Sequence, residues 1–357
     1  DNNLVWTGEN GMQDLTPFKD GNPDTPEDQR YKAVVRQKDT QYLFPLASPD
    51  GFNWRIISEQ PILTDHPFDT QTITFWDTWK KEYVLYTRGV RKPIVQDDGK
   101  VVGEDSFLGG VRWIRRAASS DFLNWSTLEP ITANDTVPEH LYTNVCIQYP
   151  RALNTYLMFP SRFVRGRTPN PDWDHGPGVN DIVFMSSRDG LNFDRSFMEA
   201  FIRPGLGSGN WHERAIYQDW GMLQLSDSEI SIYCQENGRL PTSHLRRYSI
   251  RTDGFVSMKA GYGGGEFVTP PFVFNGSKLE LNYATSALGS VAIEIQDSQG
   301  KPFSGFKLDD SEELFGDCIG GNIGWRDNKL VKSLEGKVIR LRVVMKDADL
   351  FAFRFVD

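Results

Sequence analysis

Apolar and β-branched residues come in short bursts along the first two-thirds of the chain. Tyr31 to Arg36, Gln41 to Leu46, Glu82 to Thr87, Val111 to Ala117, Thr155 to Phe159, Ile182 to Ser186 and Glu229 to Gln235 alternate apolar with polar positions or concentrate Val, Ile, Tyr, Phe and Trp. Runs this short, separated by turns containing Asp and Gly, predict strands rather than helices. After about residue 258 the texture changes. Gly261 to Gly265 reads as a linker, followed by Phe267 to Phe274, Lys278 to Tyr283, Ser290 to Gln296, Val338 to Val344 and Leu350 to Val356. The alternation of Val291, Ile293 and Ile295 marks strands buried on one face. The pattern predicts an all-β chain of two domains, residues 1–258 and a β-sandwich over 259–357.

A motif punctuates the first domain. Ser48-Pro49-Asp50-Gly51-Phe52-Asn53-Trp54 returns as Ser119-Ser120-Asp121-Phe122-Leu123-Asn124-Trp125 and as Ser187-Arg188-Asp189-Gly190-Leu191-Asn192-Phe193. A weaker copy is Arg251-Thr252-Asp253-Gly254-Phe255, and the spacings are 71, 68 and 64 residues. Such a period belongs to an array of similar supersecondary units, and four-stranded units in an array predict a β-propeller. Within the motif, Ser and Asp can bond nearby backbone amides, Asp-Gly supports a tight turn, and the ring packs back between sheets. The motif is therefore expected to be a folding staple and not an active site. Only four copies follow the strand-like Asn3 to Trp6. A five-bladed ring thus calls for a further blade, from an atypical stretch of this chain, from upstream sequence or from another chain.

Composition narrows the choice of function. With 39 Lys+Arg against 48 Asp+Glu, the net charge of -9 disfavours a general nucleic-acid binder. No stretch of 18 apolar residues predicts a membrane-spanning helix. Aromatic residues reach 13%, and their rings fill β-rich cores or stack on the apolar faces of sugars. Cys146, Cys234 and Cys318 lie far apart without metal spacing and are expected to be mostly buried free thiols. The histidines lack metal spacing, and no glycine-rich loop stands between a strand and a helix. Neither a metal nor a nucleotide cofactor is expected, although a propeller axis leaves room for a structural cation.

In a propeller the first strands of all blades start around one funnel, so acids ahead of them converge. Asp20 in Lys19-Asp20-Gly21-Asn22-Pro23, Asp69 in His66-Pro67-Phe68-Asp69, Glu139, and Glu213 in Trp211-His212-Glu213-Arg214 occupy such places. The turn at 20–23, the repeated motif and the trailing sandwich resemble the five-bladed β-propeller glycoside hydrolases of families 32 and 43, above all the bacterial branch described as family 32 N-terminal-like. The Trp-Met-Asn-Asp-Pro, Arg-Asp-Pro and Glu-Cys motifs of family 32 are not in this sequence, so fructosides are not carried over as substrates. The resemblance implies hydrolysis by one acid of raised pKa and a second carboxylate across the scissile bond. It gives Asp20 the role of base or nucleophile, and Asp69 that of tuning pKa values and orienting substrate. Glu213 becomes the general acid, with Asp181 and Glu139 as rivals.

Substrate contacts are expected from Asn22, His66, Arg88, Tyr142, Arg162, His175, Asp181, Trp211 and Arg214. Arginines, with Arg112, Arg115 and Arg188 beside those named, suit carboxylate or sulfate groups, and Tyr142, Trp173 and Trp211 offer stacking surfaces. Each candidate has a structural alternative. Asp20 and Asp69 can cap turns, Glu213 can pair with Arg214, and the arginines can bridge blades. The expected function is a glycoside hydrolase acting on a plant, algal or host polysaccharide, secreted or periplasmic. The alternative is a non-catalytic carbohydrate-binding propeller. A sialidase-like enzyme ranks last, because the motif is one residue short of the Asp-box.

Overall fold

The computed structural model describes residues 6, 12–65, 67–91, 94–95, 101–102, 110–134, 136–137, 139–167, 177–212 and 214–357. Among them the chain is all-β, its helices being short 3-10 turns. No helix of the described residues is long and apolar enough to cross a membrane. The chain divides into two compact units, one of residues 1–222 and 232–248, the other of 223–231 and 249–357.

The first unit is a series of sheets in chain order, antiparallel except for one short parallel pairing between residues 132–133 and 192–193. The first runs β1 (Gln13–Lys19), β2 (Tyr31–Arg36), β3 (Leu43–Ser48), β4 (Arg55–Ile56). The second takes β5 (Ile73–Asp77) and β6 (Glu82–Arg91), then, past a small hairpin of β7 (Ile94–Val95) and β8 (Val101–Val102), β9 (Val111–Ser119) and β10 (Glu129–Pro130). From Tyr83 to Thr87, β6 is buried on both faces, which is why its sequence is nearly continuous in apolar residues.

After β11 (Thr132–Ala133) come β12 (His140–Leu141), β13 (Cys146–Gln148), β14 (Tyr156–Met158), β15 (Ser161–Val164), β16 (Val179–Val183), β17 (Met185–Ser187), β18 (Asn192–Asp194) and β19 (Ala200–Ile202). They form two sheets, β12-β15-β16-β19 and β13-β14-β17-β18 with β11 at its edge. The registers show these to be halves of one bent four-stranded meander. His140 opposite Phe163 continues into Cys146 opposite Met158, and Ser161 opposite Ile182 continues into Tyr156 opposite Ser187. The break in the second strand falls at Pro160, which has no N–H for the ladder. In the fourth sheet β20 (Ile216–Gln218) and β23 (His244–Arg251) flank β22 (Glu229–Glu236), which also pairs with β21 (Leu223–Gln224). Every run predicted as a strand between residues 31 and 235 lies in one of these elements or overlaps it, whereas Asn3 to Val5 of the strand-like start lie outside the described residues.

The repeated motif closes the turn between third and fourth strands. Asp50 Oδ1 accepts the N–H groups of Phe52 and Asn53, both at 2.8 Å, Ser48 Oγ accepts that of Gly51 at 2.9 Å, and Trp54 Nε1 donates to the Gly51 carbonyl at 2.9 Å. The same Ser and Asp bonds recur at Ser119 and Asp121, and again at Ser187 and Asp189. In the fourth copy Arg251 stands in the serine's place and bonds Asn282 and Asp317. Each motif turn stands at the same end of its sheet as the turn between first and second strands. The hairpin joining second and third strands, and the start of the first strand, lie at the other end. We call these the turn end and the hairpin end.

In the second unit β24 (Met258–Ala260), β25 (Gly265–Val268), β26 (Phe272–Val273), β27 (Lys278–Gln296) and β28 (Asp317–Asn322) gather about β29 (Val338–Val356) in the order β24-β29-β27-β28, with β25 and β26 also on β29. The expected linker at Gly261 to Gly265 is instead a short turn that interrupts one strand line, since β24 and β25 pair in the same direction with consecutive stretches of β29, and its Gly264 N–H donates to the Gly261 carbonyl at 3.0 Å. The four predicted runs after residue 278 fuse into two strands of 19 residues each. A register shift between Thr285 and Ser290 accommodates the extra residues. The core holds Val291, Ile293, Ile295, Leu341 and Val343, with the Trp325 indole donating to the Ile293 carbonyl at 3.0 Å.

Candidate functional site

At the hairpin end, the segment ahead of β5 sets Asp69 against β6. Arg88 Nη1 donates to Asp69 Oδ1 at 2.5 Å, the arginine side chain being 2% exposed and the carboxylate 37%. Tyr142, just after β12, covers the pair. Its ring centroid is 5.4 Å from the Arg88 guanidinium and 4.9 Å from that of Arg112. Its hydroxyl donates to the Asp69 carbonyl at 3.4 Å, and its own carbonyl accepts Thr70 Oγ1 at 3.3 Å. The ring of Tyr217 stands 5.9 Å away. The ladder explains the arginines: Arg88 faces Ile114 and Val90 faces Arg112, so both project from one face as diagonal neighbours.

A second cluster lies in the next sheet at the same end. Arg162 grips both oxygens of Asp181, through Nε at 2.8 Å and Nη2 at 2.5 Å, and gives Nη1 to Glu139 at 2.8 Å. Arg195 Nε also donates to Glu139, at 3.2 Å. The hydrogen bond to Asp181, followed by that to Glu139, outweighs burial and raises the Arg162 pKa. Burial lowers that of Arg195 against the pull of Glu139. Asn180 links the third sheet to the fourth, accepting the Arg214 N–H at 2.8 Å and donating to Ser161 Oγ at 2.9 Å.

Asp20 sits elsewhere. It follows β1 at the turn end, its carboxylate 0% exposed and ion-paired with Lys32. The Tyr83 hydroxyl at 2.7 Å, Thr25 Oγ1 at 2.6 Å and the Asn22 N–H at 2.9 Å complete its shell. Asn22 is held in turn, its Nδ2 donating to the Tyr83 hydroxyl at 3.1 Å. Tyr83 and Arg88, the partners of Asp20 and Asp69, are on one strand, five residues apart. That is about 16 Å of chain, and an odd separation sends the two side chains to opposite faces. The expectation that Asp20 and Asp69 share a funnel is therefore corrected. Asp20 is a saturated buried ion pair between the first two sheets.

Of the other candidates, Trp211 is half-exposed with its indole N–H on the Gly205 carbonyl at 2.7 Å, and the Arg214 N–H donates to Asn180. Arg115 is bound to Asp65 at 2.8 Å, and Arg188 bonds Thr155 at 2.6 Å at the turn end. Glu213, His66, His175 and Trp173 lie outside the described residues. Tyr217 and Arg195 escaped the sequence reading because neither belongs to a motif. So did Asp219, directly after β20, the one carboxylate among the described residues with a raised pKa, caused by burial. No group of three or more His, Cys, Asp or Glu side chains able to hold a metal forms among the described residues. Cys146 and Cys234 are buried free thiols, and burial raises the pKa of Cys234 to about 12.

No family model matches the chain, and no curated protein matches it. Among solved structures, a glycoside hydrolase is 12% identical with a TM-score of 0.42, covering 66% of this chain and 69% of its own. A fructofuranosidase from Schwanniomyces occidentalis is 10% identical with a TM-score of 0.38, covering 97% and 83%. A family 43 arabinoxylan arabinofuranohydrolase from Bacillus subtilis is 11% identical with a TM-score of 0.35, covering 92% and 77%. At these TM-scores none of the three bears on the site or its substrate.

Proposed function

We propose that the first unit is a β-propeller of the five-bladed type that cleaves glycosidic bonds at its hairpin end, and that the second is a β-sandwich. The reading rests on one observation: Asp69, a partly exposed carboxylate fixed by Arg88, lies beside Tyr142, whose ring is 5.9 Å from that of Tyr217. Tyrosine rings stack on sugar faces, and a positioned carboxylate beside the sugar is what hydrolysis of its glycosidic bond requires. Asp69 takes the base or nucleophile role, since Asp20 is at the other end, and Glu213 is the general acid. A secreted location goes with a polysaccharide substrate.

Product analysis after incubation with plant, algal and host polysaccharides tests this. Asp69→Asn and Glu213→Gln each abolish turnover with the melting temperature within a few degrees of the unaltered protein. Asp20→Asn, in contrast, lowers the melting temperature, because Lys32 is left buried without its counter-charge. Full activity in both Asp69→Asn and Glu213→Gln removes the assignment.

A specific observation favours a second reading, binding without cleavage. Glu139 and Asp181, the rival acids, are both held by Arg162, and Glu139 by Arg195 as well. Glycan binding with no product after prolonged incubation selects it.

A further inference from the structure

We infer that Asn144 is a positioning residue of the Asp69–Tyr142 site, and that with Thr70 it sets how the Asp69 carboxylate stands relative to the Tyr142 ring. This rests on the sugar-cleaving reading of that site and names what holds its geometry. Three consecutive residues of the segment ahead of β5 are each bonded to Tyr142 or Asn144. The Asp69 carbonyl accepts the Tyr142 hydroxyl at 3.4 Å, Thr70 Oγ1 donates to the Tyr142 carbonyl at 3.3 Å, and the Gln71 carbonyl accepts Asn144 Nδ2 at 3.2 Å. An asparagine amide has two N–H donors and one carbonyl acceptor, and Asn144, 1% exposed, uses all of them. Its Nδ2 also donates to the Tyr86 carbonyl at 3.3 Å, and its Oδ1 accepts the Cys146 N–H at 3.2 Å. One buried side chain thereby ties together the segment that carries Asp69, the strand that carries Arg88 and the stretch that carries Tyr142.

The backbone at this point supplies a second, independent observation. Val145, 0% exposed, has a φ of +42° where the chain passes from β12 to β13. A β-branched residue in the left-handed region is an outlier, and such strain persists only where the surroundings hold it. Across this bend the Asn144 carbonyl still accepts the Phe159 N–H of its own sheet at 3.1 Å, while the side chain reaches Gln71 and Tyr86 of the second sheet. Arg88 holds the carboxylate of Asp69, and these bonds hold its backbone. Cleavage depends on that placement, since a shift of about 1 Å can cost on the order of a hundredfold in rate. Resting a sugar against a ring face is less exacting, so loosening the clasp costs turnover more than affinity.

The test uses the full chain and the polysaccharide it cleaves fastest among the plant, algal and host set. Thr70→Val removes one bond of the clasp at nearly constant shape, and Thr70→Ser keeps the hydroxyl. Thr70→Val should lower kcat about tenfold with KM within about threefold of the unaltered protein, and Thr70→Ser should restore most of the loss. Asn144→Ala should lower kcat by about a hundredfold. Hydrogen exchange over residues 68–72, read by mass spectrometry, should quicken about fivefold in Thr70→Val and Asn144→Ala while the motif turn at 119–125 keeps its rate. Unchanged kcat in folded Thr70→Val, an equal loss in Thr70→Ser, or a rise in KM as large as the fall in kcat overturns the positioning role. Should Asn144→Ala not fold, the two Thr70 variants decide. No product from the unaltered protein removes the sugar-cleaving reading and the catalytic part of the inference with it, whereas unquickened exchange removes the clasp and leaves that reading standing.

Discussion

Gly51 and Gly190 adopt φ of +80° and +73° at one position of the repeated turn, and Phe122 adopts +68° at the same position in the second copy. A phenylalanine in this left-handed region costs backbone energy, which its ring recovers. The side chain is 0% exposed, 5.2 Å from the ring of Tyr83 and 5.8 Å from that of Phe18. The two glycines are not equivalent either. A Cβ on Gly51 meets only the ring of Tyr31 at 3.8 Å, whereas one on Gly190 comes within 2.7 Å of the Tyr86 hydroxyl. Gly51→Ala should therefore cost about 1 kcal/mol from the dihedral alone. Gly190→Ala should cost at least about 1 kcal/mol more, since it also displaces the hydrogen bond from Tyr86 to the Gly190 carbonyl at 2.6 Å. Paired thermal or urea unfolding of the two variants checks the order.

Among the elements, the strands were legible because their work is local. Alternation and β-branching mark β2, β6, β9 and β22 whatever they pack against. What the sequence concealed is how strands continue. Pro160 hides the fact that β14 and β15 are one bent strand, and the register shift after Thr285 hides the same of β27. The pairing of Arg162 with Asp181 was equally hidden, because it depends on a register of β15 against β16 that no motif announces. Its consequence is measurable. Arg162→Met removes both bonds to Asp181 and one of those to Glu139, leaving Arg195 to face two carboxylates, so it should destabilise by about 3 kcal/mol at neutral pH. Denaturant unfolding reads this directly, and a loss under about 1 kcal/mol would mean that the cluster is solvated rather than structural.

On the scale of the whole molecule, the motif aspartates couple stability to pH. Their pKa values are depressed, Asp121 to about 2 and Asp50 and Asp189 further. Burial opposes the effect at Asp121 and Asp189, but the N–H donors of the turn win. A depressed carboxylate contributes stability above its unfolded value near 4, and that contribution disappears as the pH falls through the folded value. The melting temperature should therefore drop as the pH goes from about 4 towards 2, and a combined Asp50→Asn, Asp121→Asn, Asp189→Asn variant should show a shallower fall across that window. The division into ends was half legible. The copies of the motif could be aligned in the sequence, but the direction each strand runs decides that Asp20 and Asp69 part company, and spacing alone does not encode that.

Three of the four sheets are clasped on one side by copies of one seven-residue motif that share Ser, Asp and Asn, through bonds that each copy makes within itself. Under the proposed function the ligand is met at the opposite end, so replacing Tyr142 should alter what is recognised while leaving these clasps intact.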